Sequence, residues 1–333
     1  MAAIPQALSG NPKPDPAGAR DDVLSSLLGH LRLSGAVQFC VLAGGDWRAE
    51  ATAAFIEMIG PRAMPFHIVV EGRCWLDLDG AVTPLDAGDM ILFPRPTLHS
   101  LGAGGGGVRL DILGDLPAPP WRETPVLRYG VPEARILCGF FQCDDLAFAP
   151  LMHALPRLMH VTGGGRDTWL ARLIRQMVEE IDRPRAGGVS VLPRLTEVAF
   201  IEIIRDEIAR TMPRQAGWLA ALADPRLARC LSLIHTAPAR DWTLTDLATQ
   251  SGVSRSALTQ LFQSVLDTSP IRYIRGWRLY LASLDLARTA KSITEVAETA
   301  GYATEAAFTR AFARSYGTPP AAWRARARGR LER

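Results

Sequence analysis

Two stretches decide how this chain is read. The first is WTLTDLATQSGVSRSALTQLFQSVLDTSP, from Trp242 to Pro270, and the second is SITEVAETAGYATEAAFTRAFARSYGTPP, from Ser292 to Pro320. Each has a polar capping residue, a short helical run, a glycine, a second helical run opened by small or polar residues, and a proline stop. In the first, Thr243 or Thr245 can cap a helix in which Leu247 and Ala248 face inward. Gly252 supplies the turn, and Ser254 caps a helix with Leu258, Leu261 and Phe262 at i, i+3 and i+4. In the second, Val296 and Ala297, then Gly301-Tyr302, then Phe308 and Phe312 repeat that order. A short helix, a glycine turn and a second helix form the unit that lays its second helix in the DNA major groove.

The outward positions of the second helices carry the chemistry of a groove reader. They are Arg255, Ser256, Thr259 and Gln260 in the first copy, and Glu305, Ala306, Thr309 and Arg310 in the second. Gln can pair bidentately with adenine, and Arg with guanine. Arg310 can alternatively hold a phosphate or brace the helix through a carboxylate, and Arg314 is placed for phosphate. Between the copies, Ile274, Trp277, Leu281 and Leu284 lie on one side of a long connecting helix that would fix the distance between the readers. Two recognition helices about 34 Å apart can enter successive major grooves.

Charge agrees with this placement. The 333 residues carry a net +3, but residues 222–333 alone carry +7, leaving −4 for the rest. A basic third suits phosphate. No apolar run approaches the ~20 residues of a membrane span, and the first 20 residues lack an apolar signal-like core. They read as a disordered tail, and the chain as cytoplasmic. The five scattered cysteines are expected to be reduced.

Upstream the texture is that of β-structure. AVQFCVLA, FHIVVEG, CWLDLDG, DMILFP and VRLDIL are short apolar or alternating runs parted by Gly, Pro and Asp, as in an antiparallel sandwich or barrel. The run from Asp21 to Leu33 reads as a short amphipathic helix. Gly88 to His99 resembles the second motif of the cupin family, with Pro96 in place of its second glycine, and VVEGRCWLDLDG resembles the close of the first motif around Gly72. Aligned on Gly72, the family's metal-ligand positions fall near Met58, Gly60 and Pro65, which cannot bind metal. The resemblance therefore implies the barrel without the usual metal site.

His67 and His99 remain as a candidate effector or metal site. Neutral imidazoles there could take zinc or copper, with Cys138 or Cys143 as thiolate. The alternative is that His67 packs on a strand, His99 bonds a loop and the cysteines are structural. An offset of five along a strand puts Cys138 and Cys143 on opposite faces. From Pro150 the chain reads as helical, with one stripe of Leu170, Leu173, Ile174, Met177, Val178 and Ile181 and another of Leu195, Val198, Ile201, Ile204 and Ile208. These helices either pack on the barrel or form a dimer seam.

The second copy resembles the signature of AraC/XylS-type transcriptional regulators through Ile293, Val296, Ala297, Gly301, Tyr302, Phe308, Arg310, Phe312, Arg314, Gly317 and Pro320. The resemblance implies a bacterial regulator whose cupin half senses a small ligand, metal or oxidant and often dimerises. Its other half binds double-stranded promoter DNA and meets RNA polymerase. It also maps the family's base-contacting positions onto the outward residues named above. The expected class is α+β. A tail over 1–20 precedes a cupin-like sensor over 21–148 and a helical linker over 149–217. An all-α double helix-turn-helix over 218–325 and a basic tail over 326–333 follow. The rival reading is a cupin metalloenzyme carrying a DNA-binding appendage.

Overall fold

The computed structural model describes residues 23–25, 33–118, 123–143, 155–163, 168–210 and 217–331. The expected tail over 1–20 lies outside them. The chain divides into two compact units, one of residues 31–212 and one of residues 213–333 together with 1–30.

The N-terminal unit is built on two facing sheets. Its strands are β1 (Leu33–Ala43), β2 (Trp47–Ala51), β3 (Ala63–Glu71), β4 (Arg73–Leu78), β5 (Ala81–Asp86), β6 (Met90–Leu92), β7 (His99–Ala103), β8 (Val108–Leu110), β9 (Val126–Tyr129), β10 (Ala134–Cys143) and β11 (Met159–Val161). One sheet has the order β11-β6-β3-β10-β1-β9, the other β5-β4-β7-β2-β8. The sheets are not wholly antiparallel as expected, because β9 joins β1 and β8 joins β2 in parallel. Alternation along the strands puts Phe39, Val41, Val69, Leu76, Ile91, Phe93, Leu101 and Ile136 in one buried core between the sheets. Gly72 and Gly88 turn the chain at positive φ, where a Cβ would be strained. Leu33 opens β1 rather than closing the expected helix, since its run continues the apolar strand that pairs with β10.

Helices α1 (Ala53–Ile59) and α2 (Ile112–Asp115) follow β2 and β8. After them the chain is not helical throughout from residue 150, because β11 first adds an edge strand against β6. Helix α3 (Trp169–Asp182) buries Leu170, Leu173, Ile174 and Met177, much as its stripe predicts. Arg135 of β10, nearly buried, ties down the end of α3 by donating twice to the Asp182 carboxylate, at 2.5 and 2.9 Å. Helix α4 (Gly188–Arg210) is turned slightly from the expected face. It buries Ala199, Phe200, Ile203 and Ile204, with Phe200 against Phe141 at 5.1 Å between ring centroids. Leu195, Val198, Ile201 and Ile208 are left half-buried.

The C-terminal unit is all helical. It comprises α5 (Trp218–Ala223), α6 (Pro225–Thr236), α7 (Leu244–Gln250), α8 (Arg255–Leu266), α9 (Pro270–Arg288), α10 (Ile293–Thr299), α11 (Glu305–Tyr316) and α12 (Pro320–Leu331). Asp224 caps α6 and Pro225 is its first residue. Pro270 and Pro320, read as stops, are the first residues of α9 and α12. Proline lacks an N–H that a helix start leaves unused anyway, so it ends one helix and opens the next. Helix α12 runs to Leu331, through residues read as a basic tail.

Candidate nucleic-acid interface and barrel cavity

Local chemistry fixes the two reader units almost residue by residue. Thr243, not Thr245, caps α7, and its hydroxyl accepts from the Asp246 N–H while the Asp246 carboxylate accepts from the Thr243 N–H. Ser292 and Glu295 form the same reciprocal box on α10. Gly252 (φ +71°) and Gly301 (φ +77°) make the turns. Ser254 and Thr304 then cap α8 and α11 by accepting from the N–H groups of Ala257 and Ala307. Leu258, Phe262 and Val265 are the buried face of α8, and Phe308 and Phe312 that of α11.

The connecting helix is gripped on two sides. Leu279, Ala282 and Leu286 join Val296, Ala297, Phe308 and Phe312 in the core of the second unit. Ile274 and Trp277 are also buried, with the Trp277 ring stacked on His235 of α6 at 3.9 Å. The buried residues of α9, Ile274, Trp277, Leu279, Tyr280, Ala282, Leu284 and Leu286 among them, therefore spread wider round the helix than the single stripe expected, and Leu281 of that stripe is only half-buried. Its 19 residues give a rod about 28 Å long. Arg278 donates to the carbonyls of Pro238 and Arg240, locking α9 to the loop before the first unit.

With those faces buried, the opposite faces are set. Arg255, Ser256, Thr259 and Gln260 are exposed on α8, and Glu305, Ala306, Arg310 and Arg314 on α11, with Thr309 half-buried. The Thr259 hydroxyl donates to the Arg255 carbonyl at 2.9 Å, and the Glu305 carboxylate accepts from Thr294 at 2.6 Å. Arg310 makes no ion pair among the described residues, so its guanidinium is not spent on bracing a carboxylate.

In the other unit, tertiary structure brings together three residues far apart in sequence. His67 on β3, His99 on β7 and Cys138 on β10 all line one apolar cavity. His99 Nδ1 lies 2.7 Å from the Thr97 carbonyl, His67 Nε2 lies 2.8 Å from His99 Nε2, and His67 Nδ1 lies 3.2 Å from Cys138 Sγ. A carbonyl can only accept, so neutral His99 carries its proton on Nδ1 and accepts at Nε2. His67 then donates from Nε2 and accepts at Nδ1, and Cys138 S–H is the donor at the far end. Every group in the chain is satisfied in one polarity.

Burial holds the chain neutral. It lowers His99 from 6.5 to about 4, and with help from His99 it lowers His67 well below its usual value. Burial, reinforced by Cys40 and Cys74, pushes the Cys138 thiol well up. A thiol so held is a poor nucleophile, which argues against Cys138 as a thiolate sensor. Cys143 ends β10, opposite Leu33, and its side chain lies outside the described residues.

Nor do these residues converge on an ion. His67 meets Cys138 and His99 through different ring nitrogens, and 2.8 Å between the imidazole nitrogens is shorter than the roughly 3.3 Å that two ligands keep around tetrahedral zinc. Among the described residues no group of three or more His, Cys, Asp or Glu is placed to hold a metal. Met58 is exposed on α1 and Gly60 ends that helix, away from any ligand role. One cavity residue carries no signal in the sequence: Trp47 of β2 is 2% exposed, and its indole N–H has no acceptor among the described residues.

Comparison with known proteins agrees with both halves. Residues 22–209, more than half the chain, match the family described as Cupin, and residues 247–326 match a helix-turn-helix domain. An AraC-like transcription regulator of Streptomyces lividans is 30% identical over 91% of this chain and 98% of its own length. The transcriptional regulator AlkR of Acinetobacter baylyi is 28% identical over 91% and 99%. Among solved structures, the DNA-binding domain of AdpA in complex with a target DNA is 27% identical, with a TM-score of 0.30, covering 32% of this chain and 96% of that one.

Proposed function

We propose a division of labour from one premise: this chain belongs to the AraC family of DNA-binding transcription regulators and carries an N-terminal cupin domain. It is a regulator and not an enzyme, as its relatives are. In our reading, α8 and α11 enter successive major grooves of promoter DNA. Thr259 and Gln260 contact the first, and Thr309 and Arg310 the second. The carrying observation is the pair of capped units fixed to one rod, each with its polar face free. Arg314, exposed on α11, holds phosphate. Ser256 and Ala306 are small, so DNA shape contributes to recognition at their positions.

The cupin unit supplies control. Its cavity receives a small effector, and the neutral histidine pair braces the cavity wall by its own internal hydrogen bonds, without a metal ion. The half-buried row Leu195, Val198, Ile201 and Ile208 on α4 favours a second copy of the chain as partner for this unit, and RNA polymerase is the partner expected at the promoter. No helix among the described residues is long and apolar enough to cross a membrane, and we place the regulator in the cytoplasm with the DNA.

A genome-wide binding profile followed by competition tests the reader. Its sites should outcompete random DNA by ~10³ or more. Equal competition by random DNA would make the protein a nonspecific binder. Metal analysis of the purified chain tests the cavity: stoichiometric zinc or copper lost on His67→Gln would replace the hydrogen-bonded reading. Sedimentation tests the pairing, which a strict monomer at micromolar concentration would exclude.

A further inference from the structure

The histidine–thiol chain leaves one polar group of the cavity unused. Trp47 lines that cavity at 2% exposure with its indole N–H unpartnered among the described residues, although a buried donor without an acceptor bears its full desolvation penalty. The surrounding wall is apolar, with Phe39, Val41, Phe55 and Ile136 among its residues. Its other polar groups are committed. Glu50 engages Arg48 through one carboxylate oxygen and Arg109 through the other. His67, His99 and Cys138 satisfy one another and Thr97. The cavity therefore offers one free donor and no free charge.

We infer that it binds a small, uncharged, mainly apolar molecule carrying one hydrogen-bond acceptor, of which a short ketone or aldehyde is the simplest, with the carbonyl oxygen accepting from Trp47 Nε1. This deepens the sensor reading of the cupin unit and rests on it. An ionised ligand would be buried without a counter-charge, which is the costlier arrangement. A hydrocarbon would fill the space but leave the indole N–H unpaired. Size narrows the class further. The cavity volume is about 50 Å³, against the ~150 Å³ that admits benzene, so a ligand of a few heavy atoms fits and an aromatic ring does not.

The test uses the full chain labelled with ¹⁵N, in which eight tryptophans give indole resonances and Trp47→Phe identifies the one concerned. Acetone is titrated beside 2-methylpropene, which has the same shape with C=CH₂ in place of C=O. Acetone should shift the Trp47 indole resonance and bind about tenfold tighter than the alkene, the factor that one hydrogen bond supplies. Trp47→Phe should bring acetone down to the alkene's affinity and leave the alkene unchanged. An unmoved Trp47 resonance in millimolar acetone, or equal affinities for ketone and alkene, overturns the inference. The ratio of ketone to alkene affinity is read on the wild type alone, so it stands even if Trp47→Phe fails to fold. Operator binding by the same sample is measured alongside. Its loss would strike the reader assignment, whereas intact operator binding with no acetone effect strikes only this inference.

Discussion

His67 Nε2 and His99 Nε2 face each other at 2.8 Å across the two sheets of the cupin unit. Strand β3 belongs to one sheet and β7 to the other, so this contact joins the two layers. It requires one ring to donate and the other to accept, which two neutral imidazoles do with matched tautomers. Protonating either ring would place a positive charge inside an apolar wall.

That pairing gives the cupin unit a pH-dependent stability. His99 holds about 4 in the folded chain against 6.5 when free, and His67 is lowered in the same direction. Between those values the unfolded chain binds a proton that the folded chain does not, so stability is full above about 6.5 and falls as pH drops toward 4. The loss should approach ~3 kcal/mol for His99. Unfolding curves from pH 7.5 to 4.5 would show it, and His99→Phe should flatten the slope. An equal slope in that variant would contradict the assignment.

Arg310→Ala should weaken operator binding by ~1–3 kcal/mol if the guanidinium reads guanine bidentately. If it holds a phosphate instead, the loss should be uniform across operator variants and the salt dependence should drop by about one ion. Affinities measured at several salt concentrations on mutated operators separate the two. Unchanged affinity would remove Arg310 from the reader.

The two turn glycines should differ in sensitivity. Both have left-handed φ, so alanine at either costs about 1–2 kcal/mol of backbone strain. A Cβ on Gly252 meets nothing, whereas one on Gly301 would lie 2.6 Å from Arg278 Nη1. Arg278 cannot swing away freely, because it holds the Pro238 and Arg240 carbonyls. Gly301→Ala should therefore destabilise the DNA-binding unit more than Gly252→Ala in denaturant melts.

Removing a cap should loosen a reader without touching its polar face. Ser292→Ala takes away the oxygen that accepts from the Glu295 N–H and should cost about 1 kcal/mol. Operator affinity should fall with the same variant's stability and recover with Ser292→Thr. Affinity unaffected at full destabilisation would uncouple the cap from DNA binding.

The doubled reader was legible in the sequence because its determinants are local. A hydroxyl three residues before a free N–H, a glycine at positive φ and apolar residues at i, i+3 and i+4 act within one or two turns of helix. The cupin unit was legible as strands and in its Gly72 and Gly88 turns. The sequences of β2, β5, β7, β9 and β11 carry no marked apolar run of their own, and these strands exist through their neighbours. The face of α4 was misjudged by one position along the helix, since periodicity shows an apolar stripe without showing which part of it a sheet will prefer. Phe200 settled that by meeting Phe141.

By itself, then, the sequence determined that two capped helix pairs end the chain, which residues each pair turns outward, and that a basic end follows a β-rich sensor. Only tertiary structure decided what His67, His99, Cys138 and Trp47 are to one another. They come from four strands in two sheets, and strand pairing together with the packing of one sheet on the other sets the spacing between them. The protonation state of the three titratable groups is likewise set by burial, a property of the folded wall and not of any residue in it. The orphaned indole N–H of Trp47 is visible only once every nearby acceptor has been placed.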